Sequence, residues 1–141
     1  MSNQGGCVFD TNSLISALLI KTSISRAAFD KAINNYKLLI SDETIAEFDD
    51  VVGREKFKKY ITPKERAQFE ELLYQQAQLV EITQTVAACR DPDDDKFLEL
   101  ALSAGVALII SGDKDLLTLS PFRGIDIVRP RTFVETFPPA K

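Results

Sequence analysis

Cys7-Val8-Phe9-Asp10-Thr11-Asn12-Ser13 is the stretch from which the rest of the chain can be read. Three apolar residues, two of them β-favouring, run into an aspartate and then into small polar residues, which predicts a short buried strand ending in a carboxylate. In open α/β sheets, reactive groups gather outside the carboxyl ends of parallel strands, near the point where strand order reverses. Asp10 is therefore the first candidate for chemistry.

Outward from that strand, helix and strand patterns alternate. Leu14, Ile15, Leu18 and Leu19 have helical spacing, with Thr11 or Asn12 as the expected cap. Lys21 to Ile24 interrupts them, and Ser25 is the expected cap of a second helix carrying Ala28, Phe29, Ala32 and Ile33 inward. Leu38 to Ile40 reads as a second strand. Ser41 then caps a helix with Ile45, Phe48, Val51 and Val52 on its inner face, ended by Gly53. Thr62-Pro63-Lys64-Glu65 combines a cap, a first-turn proline and a capping-box glutamate, and predicts a helix to about Gln76. Leu79 to Ile82 is expected as a third strand, Ala107 to Ile110 as a fourth and Ile125 to Val128 as a fifth. Between the third and fourth, Asp91-Pro92 opens a helix that Gly105 closes, and Thr132 caps a last short helix. The alternation implies a parallel sheet covered on both faces. No repeat or linker divides the chain, so a single α/β domain over 1–141 is expected, with residues 1–6 as a flexible tail and 138–141 as a C-terminal tail.

Composition narrows the chemistry. The 141 residues include no histidine, which removes Ser-His and Cys-His nucleophilic systems and His-ligated metal sites. Carboxylate is in excess, 21 Asp and Glu against 17 Lys and Arg. The resulting net charge of -4 argues against a surface that coats nucleic acid generally, though not against a local basic track. No apolar run is long enough to cross a membrane and no signal pattern precedes Cys7, so a cytoplasmic protein is expected. Cys7, in the first strand, and Cys89, in a loop, are expected as free thiols.

Two acids, Asp10 and Asp113, follow apolar strand patterns and would face each other if those strands are neighbours. Each could instead cap the next helix. Asp115 is a further ligand or a solvated turn residue. Asp91, Asp93, Asp94 and Asp95 crowd one helix start, where negative charge is stabilising whatever its function. Asp94 shares the stripe of Leu98 and Ala101 and is expected to point inward, away from Lys96, Glu99 and Ser103, with Asp93 as a rival. Glu47 and Asp49 flank opposite shoulders of the apolar face of their helix, and periodicity does not choose between them. Carboxylates brought within a few ångströms of one another need protons or a cation, and an oxygen-only set selects Mg2+ or Mn2+ over zinc.

The ordered set Val8-Phe9-Asp10-Thr11-Asn12, Glu47, Asp91 through Ala101 and Ile110 through Leu117 resembles the PIN-domain ribonucleases, particularly the single-domain toxins of prokaryotic toxin-antitoxin pairs. The resemblance implies a parallel sheet of order 3-2-1-4-5, with Asp10 and Asp113 on adjacent strands at the switch point. It selects Glu47 over Asp49, and Asp94 over its neighbours, to complete a site of Asp10, Glu47, Asp94 and Asp113. Asp115 matches a less constant fifth acid, and Thr11 and Asn12 would orient ligands or the scissile phosphate. It further implies an RNA substrate, Mg2+ or Mn2+ as cofactor, an antitoxin partner and a homodimer. In the basic segment 54–66, Lys56, Lys58, Lys59 and Arg66 could meet phosphates while Phe57 or Tyr60 stacks on a base. The rival readings are a Mg-binding phospho-receiver and an RNA-binding protein held inactive by a partner. A receiver wants paired acids after the first strand, where Asp10 stands without an acidic neighbour. An aspartyl-nucleophile phosphatase wants aspartate where Asn12 stands.

Overall fold

The structure is a computed structural model and describes residues 5–138. Five strands, β1 (Gly6–Phe9), β2 (Lys37–Ile40), β3 (Gln78–Leu79), β4 (Leu108–Ile110) and β5 (Asp126–Val128), form one parallel sheet in the order β3-β2-β1-β4-β5. Among the described residues seven α-helices cover it: α1 (Thr11–Leu19), α2 (Ile24–Asn35), α3 (Asp42–Val52), α4 (Pro63–Gln76), α5 (Asp95–Ala104), α6 (Lys114–Leu117) and α7 (Pro130–Thr136). The implied order 3-2-1-4-5 is the observed one. It also removes the receiver reading, because that fold runs 2-1-3-4-5 whereas β1 here lies between β2 and β4.

The two-residue period of a strand divides the core into two layers. Cys7, Phe9, Leu38, Ile40, Leu108 and Ile110 enter one cluster with α1, α2, α3 and α4, where the Phe29 and Phe69 rings meet at a tilt with centroids 4.7 Å apart. Val8, Leu39, Ile109 and Ile127 enter the other, with Phe97, Leu98 and Leu100 of α5 and Leu116 of α6. Burying each such aliphatic or aromatic side chain contributes roughly 1.5–3 kcal/mol. One glycine is required by close approach: a Cβ on Gly6 would stand 2.4 Å from Val106 Cγ1 and 2.6 Å from Leu39 Cδ2. Another, Gly105, ends α5 in the left-handed region at φ 72°, which costs glycine no strain.

Local signals set most helix boundaries. Ser41 and Thr44 form a capping box on α3, and Thr62 and Glu65 form one on α4, whose last residue is Gln76 as expected. The first two caps differ from expectation. Asp10 rather than Thr11 or Asn12 caps α1, its Oδ1 accepting the Ser13 N–H at 2.9 Å. Ser23 rather than Ser25 caps α2, accepting the Arg26 N–H at 3.0 Å. Gly6 belongs to β1 and Gly5 accepts the Lys37 N–H at 3.0 Å, so these two residues are not a loose tail. Residues 1–4 and 139–141 lie outside the described residues.

The expected third strand, Leu79 to Ile82, is only Gln78–Leu79. The segment that follows lies along α5. The chain beyond Val80 leaves the sheet and is strapped along that helix by three side chains spaced four apart. Ser103 accepts the N–H groups of Thr83 and Gln84, at 2.9 and 3.1 Å; Glu99 accepts Val86 N–H at 3.0 Å; Asp95 accepts Ala88 and Cys89 N–H, at 3.1 and 2.8 Å. Val80 N–H still bonds Ile40 O at 2.8 Å, and past it these five N–H groups are satisfied on a helix face rather than on β2. Glu99 and Ser103 therefore face protein, not solvent as their spacing suggested.

Candidate active site at the carboxyl ends of β1 and β4

β1 pairs with β4 in the register Phe9 to Ile110, and the Asp10 N–H donates to Ile110 O at 3.1 Å. The residue beside Asp10 is therefore Ser111, not Asp113. Ser111 is fully buried; its hydroxyl donates to Asp10 Oδ2 and accepts the Asp113 N–H at 3.0 Å. One serine thus ties the two strand ends together and sets Asp113 one turn beyond Asp10. Asp113 caps α6 through its Oδ1, which accepts the Asp115 N–H at 3.0 Å. Asp115 itself is exposed.

Asp94 arrives from the other side, at the junction of a 3-10 turn (Pro92–Asp94) with α5. The turn is opened by Asp91, whose side chain accepts the Asp93 N–H at 3.0 Å. Asp93 is exposed, Asp94 is half-buried, and the deeply buried acid of the run is Asp95, committed to the strap. Burial and the adjacent Asp113 carboxyl, which shares a hydrogen bond with it, push Asp94 up from 3.8 to about 7, with smaller contributions from Asp91 and Asp10. Burial likewise raises Asp10, and Asp113 adds to the rise, although the Ser111 and Ser13 hydrogen bonds oppose it. Asp10, Asp94 and Asp113 therefore share one electrostatic environment.

Glu47 stands apart. The Thr11 hydroxyl donates to its Oε1, and Lys96 Nζ lies 3.0 Å from its Oε2, with the Lys96 side chain only 14% exposed. Lys96 also donates to Asp93 O at 2.7 Å. Spacing had set Lys96 outward, but its long stem carries the ammonium back across the site to α3. Asp49, the alternative to Glu47, turns to α4 and accepts the Tyr74 hydroxyl at 3.2 Å. Thr11 is buried against the site, and Asn12 is exposed at its rim.

The basic segment 54–66 is exposed and largely self-satisfied. Lys58 pairs with Glu55 at 3.3 Å and Arg66 with Glu70 at 3.1 Å, while Lys56 and Lys59 lie over the rings of Phe57 and Tyr60. Both cysteines are free, and burial pushes each thiol up to about 12, which leaves neither as a thiolate nucleophile.

A model of the PIN domain matches residues 7–115. The chain belongs to the PIN-domain family. Asp10, Glu47, Asp94 and Asp113 all fall inside the matched span. An uncharacterized protein of Methanocaldococcus jannaschii, MJ1680, is 29% identical over 143 residues, covering 92% of this chain and 90% of its own. The fold is similar to PAE2754 from Pyrobaculum aerophilum (TM-score 0.62, 16% identity, covering 93% of this chain and 88% of that one). It is also similar to VapBC2 from Rickettsia felis, solved bound to a DNA fragment from its promoter (TM-score 0.59, 11% identity, 86% and 96% covered).

As a PIN domain, the chain is expected to use a divalent ion, and its donor set fits one in chemistry. Asp10, Asp94 and Asp113 offer oxygen only, and their repulsion, expressed in the rise of Asp94, is what a hard cation relieves. Among the described residues, no three acids yet converge to the spacing of a closed ligand set. Asp10 and Asp113 spend an oxygen each on helix caps, and Lys96 occupies Glu47. No helix among the described residues is long and apolar enough to cross a membrane.

Proposed function

We propose that this PIN domain is a Mg2+- or Mn2+-dependent endoribonuclease that hydrolyses phosphodiester bonds in single-stranded RNA, acting as the toxin of a toxin-antitoxin pair. The supporting observation is the joining of Asp10, Asp94 and Asp113 at the carboxyl ends of β1 and β4, where Asp113 helps to push Asp94 up to about 7. Acids perturbed by burial and by one another at such a strand edge are the mark of a reactive site rather than of a surface.

When bound, a divalent ion supplies a water of lowered pKa and charge balance for the phosphodiester. The chain's own groups divide the remaining work. Asp10 is fixed by Ser111 and the Ser13 N–H, and with Asp94 and Asp113 would hold the ion. Thr11 orients Glu47, and Lys96 neutralises it, so Glu47 would join the ligands only by giving up the ammonium. In the metal-free chain burial and Asp113 raise Asp94 to about 7, a rise that a bound ion would relieve. Asn12, exposed at the rim, is available to the scissile phosphate. Asp115 and the cations Lys56, Lys58, Lys59 and Arg66 have weaker support, since they lie in solvated or self-paired positions.

The toxin reading draws on the family and on the likeness to VapBC2, and it brings a cognate antitoxin and self-association as expected partners, with the cytoplasm as the place of action. The test is cleavage of labelled single-stranded RNA with Mg2+ or Mn2+, with and without chelator, and with Asp10→Asn. Activity that survives chelation or the substitution refutes the scheme.

A further inference from the structure

Next to the acid cluster is a groove of about 750 Å³ between the starts of α1 and α2, the β4–α6 turn and the start of α7. Its lining includes Asn12, Ser25, Asp113, Lys114, Arg129 and Arg131. Three cations face one acid, and that acid is Asp113, so the groove and the acid cluster share a wall. The local charge is the reverse of the whole chain's -4.

These cations are also weakly committed. Among the described residues, Arg129 reaches only Gly112 O, at 3.5 Å. Arg131 pairs with Glu135 at 3.1 Å, but both side chains are more than half exposed, and such pairs contribute about 0–1 kcal/mol. Lys114 is exposed and makes no ion pair among the described residues. The contrast with segment 54–66, where Lys58 and Arg66 are paired locally, is direct. No aromatic side chain lines the groove, so it offers phosphate contacts without a platform for bases.

We propose that this groove, through Lys114, Arg129 and Arg131, binds the phosphodiester backbone of the single strand flanking the phosphate delivered to Asp113. The assignment rests on the nuclease reading and moves the substrate track from segment 54–66 to the opposite edge strand's side of the site. Guanidinium forks suit phosphate oxygens, and contact through phosphates alone makes the binding tolerant of sequence.

The test measures binding of fluorescent oligouridylate by anisotropy in chelator, where cleavage does not intervene, across a series of salt concentrations. Three single-strand phosphate contacts give a log–log salt slope of roughly -2, and each Lys or Arg to Gln change removes roughly 0.7 of it. Lys114→Gln/Arg129→Gln/Arg131→Gln should therefore bind with a slope near zero and, at 50 mM salt, roughly 100-fold or more weaker. All three residues are exposed, and an unchanged circular dichroism spectrum confirms the fold of the variant. Oligoadenylate should bind within a few-fold of oligouridylate. An unchanged slope in the triple variant overturns the proposal. So does a slope reduced instead by Lys56→Gln/Lys58→Gln/Lys59→Gln, or an absence of RNA binding by the unsubstituted protein. Groove-dependent binding without metal-dependent cleavage would uphold the groove and refute the nuclease.

Discussion

Replacing Asp94 by Asn should stabilise the metal-free protein while abolishing its response to metal. Asp94 titrates at about 7 in the folded chain against 3.8 ordinarily, because it is desolvated and shares a hydrogen bond with Asp113. A folded pKa above the unfolded one means that the native state binds the extra proton between these values. Its stabilising effect is complete below about pH 4 and is lost as pH rises through about 7. A shift of about 3 units corresponds to roughly 4 kcal/mol if fully realised. Asp94 is only half-buried, so solvent screening reduces this to about 2 kcal/mol. Asparagine resembles the protonated acid at every pH, its amide still able to donate to Asp113. In chelator, Asp94→Asn should thus match the parent near pH 4 and melt roughly 4–8 °C higher at pH 8. Adding Mn2+ to about a hundredfold above its Kd should raise the parent by roughly 2.7 kcal/mol and leave the variant unmoved, reversing the order. Differential scanning calorimetry at the two pH values reads both effects. Equal melting temperatures at pH 8, or a gap that does not change with pH, would refute the claim that these carboxyls repel one another.

Removing the strap tests the other acid of that run. Asp95→Ala leaves the Ala88 and Cys89 N–H groups without their acceptor and should cost about 2–4 kcal/mol in urea unfolding and expose segment 82–90 to proteolysis, whereas Asp95→Asn, which keeps an acceptor oxygen, should cost about 1 kcal/mol. Burial alone would raise Asp95, but the Cys89 N–H and thiol and the Ala88 N–H outweigh it and hold the carboxyl low, so the gap between Asn and Asp should be complete above about pH 4 and close below it. Lys96→Met should destabilise by about 1–2 kcal/mol at pH 7 by leaving Glu47 half-buried and unpaired, and Glu47→Gln in the same chain should recover most of that loss, as a double-mutant cycle would show.

What could be read from the sequence was local. The caps at Ser41 and Thr62, Gly105 after α5 and the short apolar runs at Cys7, Leu38 and Leu108 each involve neighbours within four residues, and each is found where expected. What escaped depends on distant partners. The third strand stops at Leu79, and the chain from Thr83 to Cys89 is held on α5 by Ser103, Glu99 and Asp95, distant partners that nothing in Leu79 to Ile82 announces. Ser111 acquired its role from the Phe9 to Ile110 register, which makes it Asp10's neighbour. A signal was present there: a small hydroxyl residue directly after a buried strand cannot lie far from whatever ends the adjacent one. Lys96 was set outward by helical angle alone, although a four-carbon stem permits its ammonium to lie some distance from its Cα direction. The three groove cations come from separate segments, 114 and 129–131, and only folding joins them.

Two accounts of Asp10 and Asp113 competed in the sequence, a helix cap and a reactive carboxylate, and the fold makes them compatible. Each aspartate caps a helix with Oδ1, and a carboxylate oxygen pair has capacity for several further partners. The energetics separate this site from ordinary capping. Glu65, which completes a capping box, is held below its usual range by the Thr62 N–H, and Asp95, which satisfies two backbone donors, is held low as well. Asp10 accepts comparable hydrogen bonds from Ser13 and Ser111, and Asp94 begins the same helix as Asp95, but both are raised. Acids at helix starts thus shift in opposite directions within one chain. Asp95 is buried too, but its oxygen is met by the Cys89 and Ala88 donors, whereas Asp94 has Asp113, Asp91 and Asp10 around it, which structural capping neither needs nor explains. A cap alone would be better served by a solvated Asp94 and by a neutral residue at 113. Three acids that oppose one another are relieved by a proton on Asp94 or by a cation from outside the chain, and the metal response of Asp94→Asn separates the two.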